Sequence, residues 1–129
     1  MKSISIFKFI PALIWFVVVL VLICLPGKDI PSNNLLELIH FDKWVHIGIF
    51  GLLAFLFMLP LGTSPNTSKQ KLAYFLFIAI ATSLWGLTTE FIQKYLVFGR
   101  NFDLLDWAAD SVGALSSFII CRKKYISRV

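Results

Sequence analysis

The stretch TTEFIQKYLVFGRNFDLLDWAADSVGALSS, residues 88–117, decides the fold class, because it places four carboxylates and an arginine among large apolar side chains. Residues three and four apart share one face of a helix. One such stripe holds Ala79, Ser83, Gly86, Glu90 and Gln93, and a second holds Asp106, Asp110, Gly113 and Ser117. Small residues allow membrane helices to approach closely. The pattern therefore predicts an antiparallel hairpin of two membrane helices turning at residues 98–100, with Gly86 beside Asp110, Ser83 beside Gly113 and Ala79 beside Ser117.

The composition of the whole chain agrees with a membrane location. The 129 residues are 58% hydrophobic and 15% charged, with a mean hydropathy of +0.82. Soluble domains average about 45–50% apolar and about 25% charged residues. The sequence contains no glycine-rich phosphate loop and no CxxC metal motif. The net charge of +5 is interpreted as a Lys/Arg collar beside anionic lipid and not as a nucleic-acid surface.

Four apolar runs predict four transmembrane helices in a single all-α domain of residues 1–129. The runs lie at about 9–25, 45–61, 72–95 and 104–121, the second ending at Pro60. A signal peptide is the alternative for the first run, but no small-x-small cleavage site follows it, which favours an uncleaved anchor. Between the first two runs, residues 35–41 are expected to lie in the membrane interface as a short amphipathic segment.

The basic residues predict the orientation of these helices. Eight of the twelve Lys and Arg residues lie in the N-terminal arm, the second loop and the C-terminal tail. Basic residues in short loops stay on the cytoplasmic side, so both termini are expected in the cytoplasm. All seven acidic residues then fall in the outer half of the protein. Acidic residues contribute little to orientation, so their shared position is a separate indication of a site.

The segment HFDKWVHIGIF, residues 40–50, brings further polar groups to the same depth. Asp42, Lys43 and His46 occupy the first turns of the second helix, with Asp42 and His46 one turn apart. The complete set expected to converge near the outer surface is Asp42, Lys43, His46, Glu90, Arg100, Asp103, Asp106 and Asp110. Carboxylates this close share protons, pair with a cationic side chain or bind a cation.

Some of these residues also suit purely structural roles. Asp42 and Asp103 are expected mainly as helix caps, whereas Asp106 suits a cap and a site equally. Asp110 lies one turn deeper, and Glu90 interrupts an uncharged run, so both are interpreted as functional. His46 is expected either at the membrane interface or within the site. Arg100 is expected either to extend its side chain toward the aqueous surface or to form an ion pair with the acids.

Several of these segments together resemble the VanZ-like family of small bacterial membrane proteins, named after a teicoplanin resistance protein. They are DKWVHIGIFGLLAF (42–55), Glu90 with Gln93, GRNFDLLD (99–106) and DSVGAL (110–115). The matching positions are Asp42, Lys43, His46, Glu90, Gln93, Arg100, Asp106 and Gly113. The chain departs from the pattern at Asp110, where the family usually has asparagine, and at Ser117, where glycine is common. The resemblance implies a role in the bacterial cell envelope and in glycopeptide resistance, and it implies no particular reaction.

Two classes of function follow. In the first, an enzyme or binding protein holds a lipid-linked envelope precursor through Arg100, Gln93, Asp106, Asp42 and Lys43, while Glu90, Asp110 or His46 moves a proton. In the second, an accessory or transport module binds protons or a divalent cation at the carboxylates. Four short helices offer little interior for transport, so a transporter of this kind would require a homodimer. No organic cofactor is expected in either class.

Overall fold

The protein is all-helical in the computed structural model, which describes residues 3–25, 35 and 40–126. A short 3₁₀ turn, Ile6–Phe9, leads into the first helix. The helices are α1 (Ile10–Ile23), α2 (Phe41–Gly62), α3 (Ser68–Leu96) and α4 (Leu104–Tyr125). Counting the 3₁₀ turn with α1, all four are long and apolar enough to cross a membrane. The predicted all-α fold with four candidate spans is confirmed, whereas the interfacial segment predicted at 35–41 falls largely outside the described residues.

Helices α2, α3 and α4 are longer than the apolar runs, and polar residues cap the first turns of α3 and α4. Thr67 and Gln70 form a capping box at the start of α3, in which Thr67 Oγ1 accepts from the Gln70 N–H at 3.2 Å and Gln70 Oε1 accepts from the Thr67 N–H at 3.0 Å. Helix α2 continues past Pro60 to Gly62. Proline removes a single backbone donor, and so close to the helix end it does not stop the helix as expected.

The closest helix approach joins α2 to α4 through glycine. A Cβ atom added to Gly113 would lie 2.8 Å from Gly51 N and 3.2 Å from Gly51 Cα. The Ser117 hydroxyl donates a hydrogen bond to the Gly51 carbonyl in the same contact. Gly113 and Ser117 were expected against α3, and the structure instead gives both of them partners on α2, because Gly51 has no side chain to hold the two backbones apart.

Helix α3 contacts α4 through side chains. Trp107 Nε1 donates to the Ser83 carbonyl at 3.0 Å, and the hydroxyls of Ser83 and Ser111 lie 2.7 Å apart. The predicted contact between Gly86 and Asp110 is confirmed, since a Cβ atom added to Gly86 would lie 2.8 Å from the Asp110 Cβ. Ser83 therefore faces Ser111 and Trp107 rather than the expected Gly113.

The distribution of apolar and charged side chains is the reverse of that in a soluble protein. Large apolar side chains point outward, such as Phe77 at 71% and Ile120 at 54% exposed, whereas Glu90 and Asp110 are fully buried. Soluble proteins seldom bury acids fully while exposing so many large apolar side chains. This arrangement suits a multi-pass membrane protein whose outer surface faces lipid.

Candidate functional site

Helices α2, α3 and α4 bring most of the predicted polar residues together at one end of the protein. We call this group the acidic cluster: Asp42, Lys43 and His46 at the start of α2, Glu90 near the end of α3, and Asp103, Asp106 and Asp110 at the start of α4. These seven residues are distributed over positions 42–110 of the sequence. Their convergence depends on the glycine contact between α2 and α4 and on the Gly86–Asp110 contact.

Lys43 is the cationic centre of the outer part of the cluster. Its Nζ lies 2.7 Å from Asp42 Oδ2, 2.6 Å from Asp103 Oδ2 and 2.6 Å from Asp106 Oδ1. An ammonium group has three N–H donors, so each carboxylate receives one hydrogen bond. The Lys43 side chain is 19% exposed, and its partners range from 10% to 59% exposed. Lys43 thus binds three acids at the boundary between solvent and the protein interior.

His46 lies deeper and sits between two carboxylates. Its Nδ1 is 2.7 Å from Asp110 Oδ1, within hydrogen-bond distance, and its Nε2 is 3.5 Å from Asp106 Oδ2. The imidazole is parallel to the Phe50 ring at a centroid distance of 6.1 Å. A neutral ring donates to Asp110 from Nδ1, and a protonated ring places positive charge between the two acids. Asp42, which lies one helical turn from His46, pairs with Lys43.

Glu90 and Asp110 each keep one buried oxygen without a hydrogen bond. Glu90 Oε2 accepts from the Asp103 backbone N–H at 3.0 Å. Glu90 Oε1 and Asp110 Oδ2 make no hydrogen bond within the described part of the chain, although both side chains are fully buried. Buried carboxylate oxygens are costly when left unpaired. These two oxygens are therefore the natural positions for a bound proton or cation.

Gly86 makes room for the Asp110 carboxylate. A Cβ atom at position 86 would lie 2.7 Å from Asp110 Oδ2, a distance at which the carboxylate would have to move. The sequence predicted a packing role for Gly86, and the structure adds that this glycine determines where the Asp110 oxygen lies.

The cluster carries more negative than positive charge. It contains five carboxylates but only Lys43 and His46 as bases. Even with His46 protonated, five ionised acids would leave three negative charges uncompensated. Like charges so close cannot all remain ionised in a low-dielectric site. Asp42 and Asp103 are 59% and 41% exposed and partly solvated, so a bound proton or cation is expected chiefly at the buried acids Glu90, Asp106 and Asp110.

Two predicted site residues, Arg100 and Gln93, are not part of the acidic cluster. Arg100 is half-buried in the turn after Gly99, whose φ is 75°, and forms no ion pair with any described residue. Of the cationic partners expected for the acids, Lys43 and His46 are the ones that contact them. Gln93 is buried and donates from Nε2 to the Ile23 carbonyl at 3.2 Å. This hydrogen bond joins α1 to α3, while Gln93 Oε1 is buried without a hydrogen bond among the described residues.

Asp103 does more than cap a helix. Its carboxylate accepts from the Leu105 N–H at 2.9 Å, as predicted for an N-cap, and also binds Lys43. The hydrogen bond from Lys43 holds the pKa of Asp103 below its usual value, and the cap hydrogen bond from Leu105 acts in the same direction. The resulting stabilisation is present above the usual aspartate pKa and is lost as the pH falls through the lowered value. The three- and four-residue spacing of positions 103, 106 and 110 was the available sequence signal for this second role.

Comparison of the chain with protein-family models, with curated proteins and with solved structures gave no match.

Proposed function

We propose that the protein is a VanZ-like protein of the bacterial cell membrane, whose acidic cluster binds or acts on the head group of a lipid-linked envelope precursor at the extracytoplasmic face. The ordered motifs around Lys43, Glu90 and Asp106 support the family assignment. The four candidate spans support a multi-pass membrane location. A role in glycopeptide resistance follows from the resemblance.

In the proposed topology both termini are cytoplasmic, and α3 and α4 form an antiparallel hairpin whose turn is extracytoplasmic. The basic residues favour this orientation. Lys69 and Lys71 lie at the start of α3, and three more basic residues lie in the last turn of α4, including Arg122. Basic residues favour the cytoplasmic side of a membrane. The cluster at the other ends of these helices would then face outward.

Cysteine labelling tests this topology. The native Cys24 and Cys121 are first replaced by alanine, and single cysteines are introduced at Phe98 and Lys69, both exposed. A membrane-impermeant maleimide applied to intact cells should label position 98, and should label position 69 only after permeabilisation. The reverse pattern would contradict the topology.

In the same background, cysteines at 86 and 110 should crosslink, whereas a pair at 86 and 117 should not.

The observation that carries the proposed chemistry is the 2.7 Å contact between His46 Nδ1 and Asp110 Oδ1 beside buried Glu90. A histidine held by a carboxylate has its ring orientation and tautomer fixed, which suits it to proton transfer. Glu90 Oε1 provides a second acid or base within the same pocket. Head-group atoms that reach the pocket would meet both groups.

Substitution of the buried acids tests the function. Glu90→Gln and Asp110→Asn preserve the shape of each side chain and remove its charge. We expect each to reduce glycopeptide resistance at least roughly tenfold in minimum inhibitory concentration, in line with the usual contribution of a proton-transfer group. Protein abundance in the membrane is measured in parallel. Ser116→Ala on the exposed face of α4 is the control, because its hydroxyl bonds only within its own helix.

A second candidate function is an accessory or transport module that binds protons or cations, acting as a homo-oligomer. The excess of carboxylates over bases in the acidic cluster favours it. The two functions differ in a simple assay. A module of this kind would change proton flux in reconstituted vesicles when Glu90 is replaced, and would leave glycopeptide susceptibility unchanged.

A further inference from the structure

An anionic head group cannot enter the acidic cluster as the side chains stand. Lys43 already binds three carboxylates, and the pocket beneath it contains Glu90 and Asp110. A phosphate would be repelled by these acids unless a further positive charge lay between them. The proposed function therefore needs a source of positive charge that the side chains do not supply.

We propose that His46, Glu90 and Asp110 together bind one divalent transition-metal ion, Zn²⁺ or Mn²⁺, which forms the anion-binding centre of the proposed head-group site. This inference rests on the proposed function for its biological role. Metal binding itself depends only on the geometry of the three side chains.

The three side chains lie at suitable distances for a shared ion. Each comes from a different helix, all three are buried, and one ligand atom from each lies within 4.8 Å of the other two. A bound ion requires Zn–N and Zn–O distances of about 2.0–2.2 Å, so the 2.7 Å contact between His46 Nδ1 and Asp110 Oδ1 would open if both atoms bind the ion. Such a site would be enclosed by α2, α3 and α4.

The unpaired oxygens are an independent indication of a ligand. Glu90 Oε1 and Asp110 Oδ2 are buried without hydrogen bonds among the described residues. Gly86 allows the Asp110 carboxylate to lie close against α3, because a Cβ atom at position 86 would lie 2.7 Å from Asp110 Oδ2. A cation would satisfy these oxygens and reduce the charge excess of the cluster.

The donor atoms indicate the class of ion. One imidazole nitrogen with two carboxylate oxygens suits Zn²⁺ or Mn²⁺ better than Ca²⁺ or Mg²⁺, which prefer oxygen ligands alone. Three protein ligands leave at least one coordination position open, as in catalytic zinc sites. A phosphate oxygen could occupy that position.

A second group of acids, Asp42, Asp103 and Asp106, also has ligand atoms within 4.8 Å of one another. Lys43 Nζ already occupies the space between them, at 2.6–2.7 Å from one oxygen of each. An ammonium group at this position excludes a metal ion. Lys43 therefore neutralises the outer acids, and the proposed ion would neutralise Glu90 and Asp110.

Metal binding by the full-length protein in detergent tests the inference. After chelator treatment, the protein is titrated with Mn²⁺ and bound ion is followed by electron paramagnetic resonance, with Zn²⁺ as competitor. We expect one Mn²⁺ per chain, displaced by Zn²⁺, with a Kd raised at least roughly tenfold in Glu90→Gln and in Asp110→Asn. Asp42→Asn is the matched control, because it removes an acid from the neighbouring group only.

Three results would overturn the inference: no Mn²⁺ bound by the wild type, unchanged binding by both variants, or equal weakening in Asp42→Asn. A measurement on the wild type alone avoids dependence on variants that fold poorly. Electron spin-echo spectra of bound Mn²⁺ should show coupling to a ¹⁴N nucleus from His46, and spectra without that coupling would count against the site.

The experiments distinguish failure of the metal-site inference from failure of the proposed function. If Glu90→Gln and Asp110→Asn lose glycopeptide resistance while the wild type binds no Mn²⁺, the proposed function stands and the metal site is wrong. If Mn²⁺ binds as expected while both variants keep full resistance, the metal site stands and the proposed function is wrong.

Discussion

Gly113→Ala should lower the free energy of unfolding by about 1–3 kcal/mol, the usual effect of forcing extra volume into a well-packed contact. The added methyl group would lie 2.8 Å from Gly51 N and would also clash with the Ile47 carbonyl oxygen. Both neighbours are backbone atoms, which cannot rotate away. Helices α2 and α4 would have to separate, and His46 would move away from Asp110. Thermal unfolding in detergent, followed by tryptophan fluorescence, measures the change.

Gly48→Ala is the matched control for this prediction. Gly48 lies on the same helix as Gly51, but an added Cβ atom would meet nothing within 4 Å. Alanine also has the higher helix propensity, so the control should be as stable as the wild type or slightly more stable. Equal unfolding temperatures for Gly113→Ala and Gly48→Ala would show that the glycine contact does not hold the two helices together.

Lys43→Met should also destabilise the protein, by roughly 1–3 kcal/mol. Removing the cation leaves Asp42, Asp103 and Asp106 facing one another with no positive partner. Breaking a fully buried pair costs about 3–5 kcal/mol, but Asp42 and Asp103 are more than one-third exposed, and solvent reduces the effect. The loss should be largest at neutral pH and should diminish in acid, where protonation of the carboxylates relieves their repulsion.

Lys94→Met provides the control for charge removal. Lys94 is exposed near the end of α3, where its ammonium lies over the neighbouring Tyr95 ring and forms no ion pair among the described residues. Its loss should have little effect on stability. The double variant Lys43→Met/Asp106→Asn should recover part of the stability lost in Lys43→Met, because it removes one of the repelling acids. A double variant less stable than Lys43→Met alone would contradict the assigned role of Lys43.

The sequence predicted much of the fold because the bilayer sets strong requirements on composition. Long apolar runs indicated four helices, and isolated acids within them indicated buried polar groups. Asp103 was predicted as an N-cap from its position before an apolar helix, and the hydrogen bond from Leu105 agrees. Gly86 beside Asp110 followed from the spacing of two stripes and a short connection.

The orientation of each helix about its own axis, which decides the neighbour that each face contacts, could not be predicted in the same way. The stripe of Gly113 and Ser117 is equally suited to any neighbour that has a small residue at the matching height. Gly51 on α2 provides that position, but nothing in the sequence ranks it above Ser83 on α3. The same uncertainty affects the cation, since choosing Lys43 over Arg100 as the partner of the acids requires the orientation of α2.

The different contacts made by α2 and α3 have a consequence for the position of Glu90. Helices α2 and α4 meet backbone to backbone at Gly51 and Gly113, which fixes the distance between His46 and Asp110. Helix α3 meets α4 through side-chain hydrogen bonds such as that from Trp107, which tolerate small displacements. Helix α3 also carries Glu90, so a displacement of α3 would move Glu90 relative to Asp110 while His46 and Asp110 stay in contact.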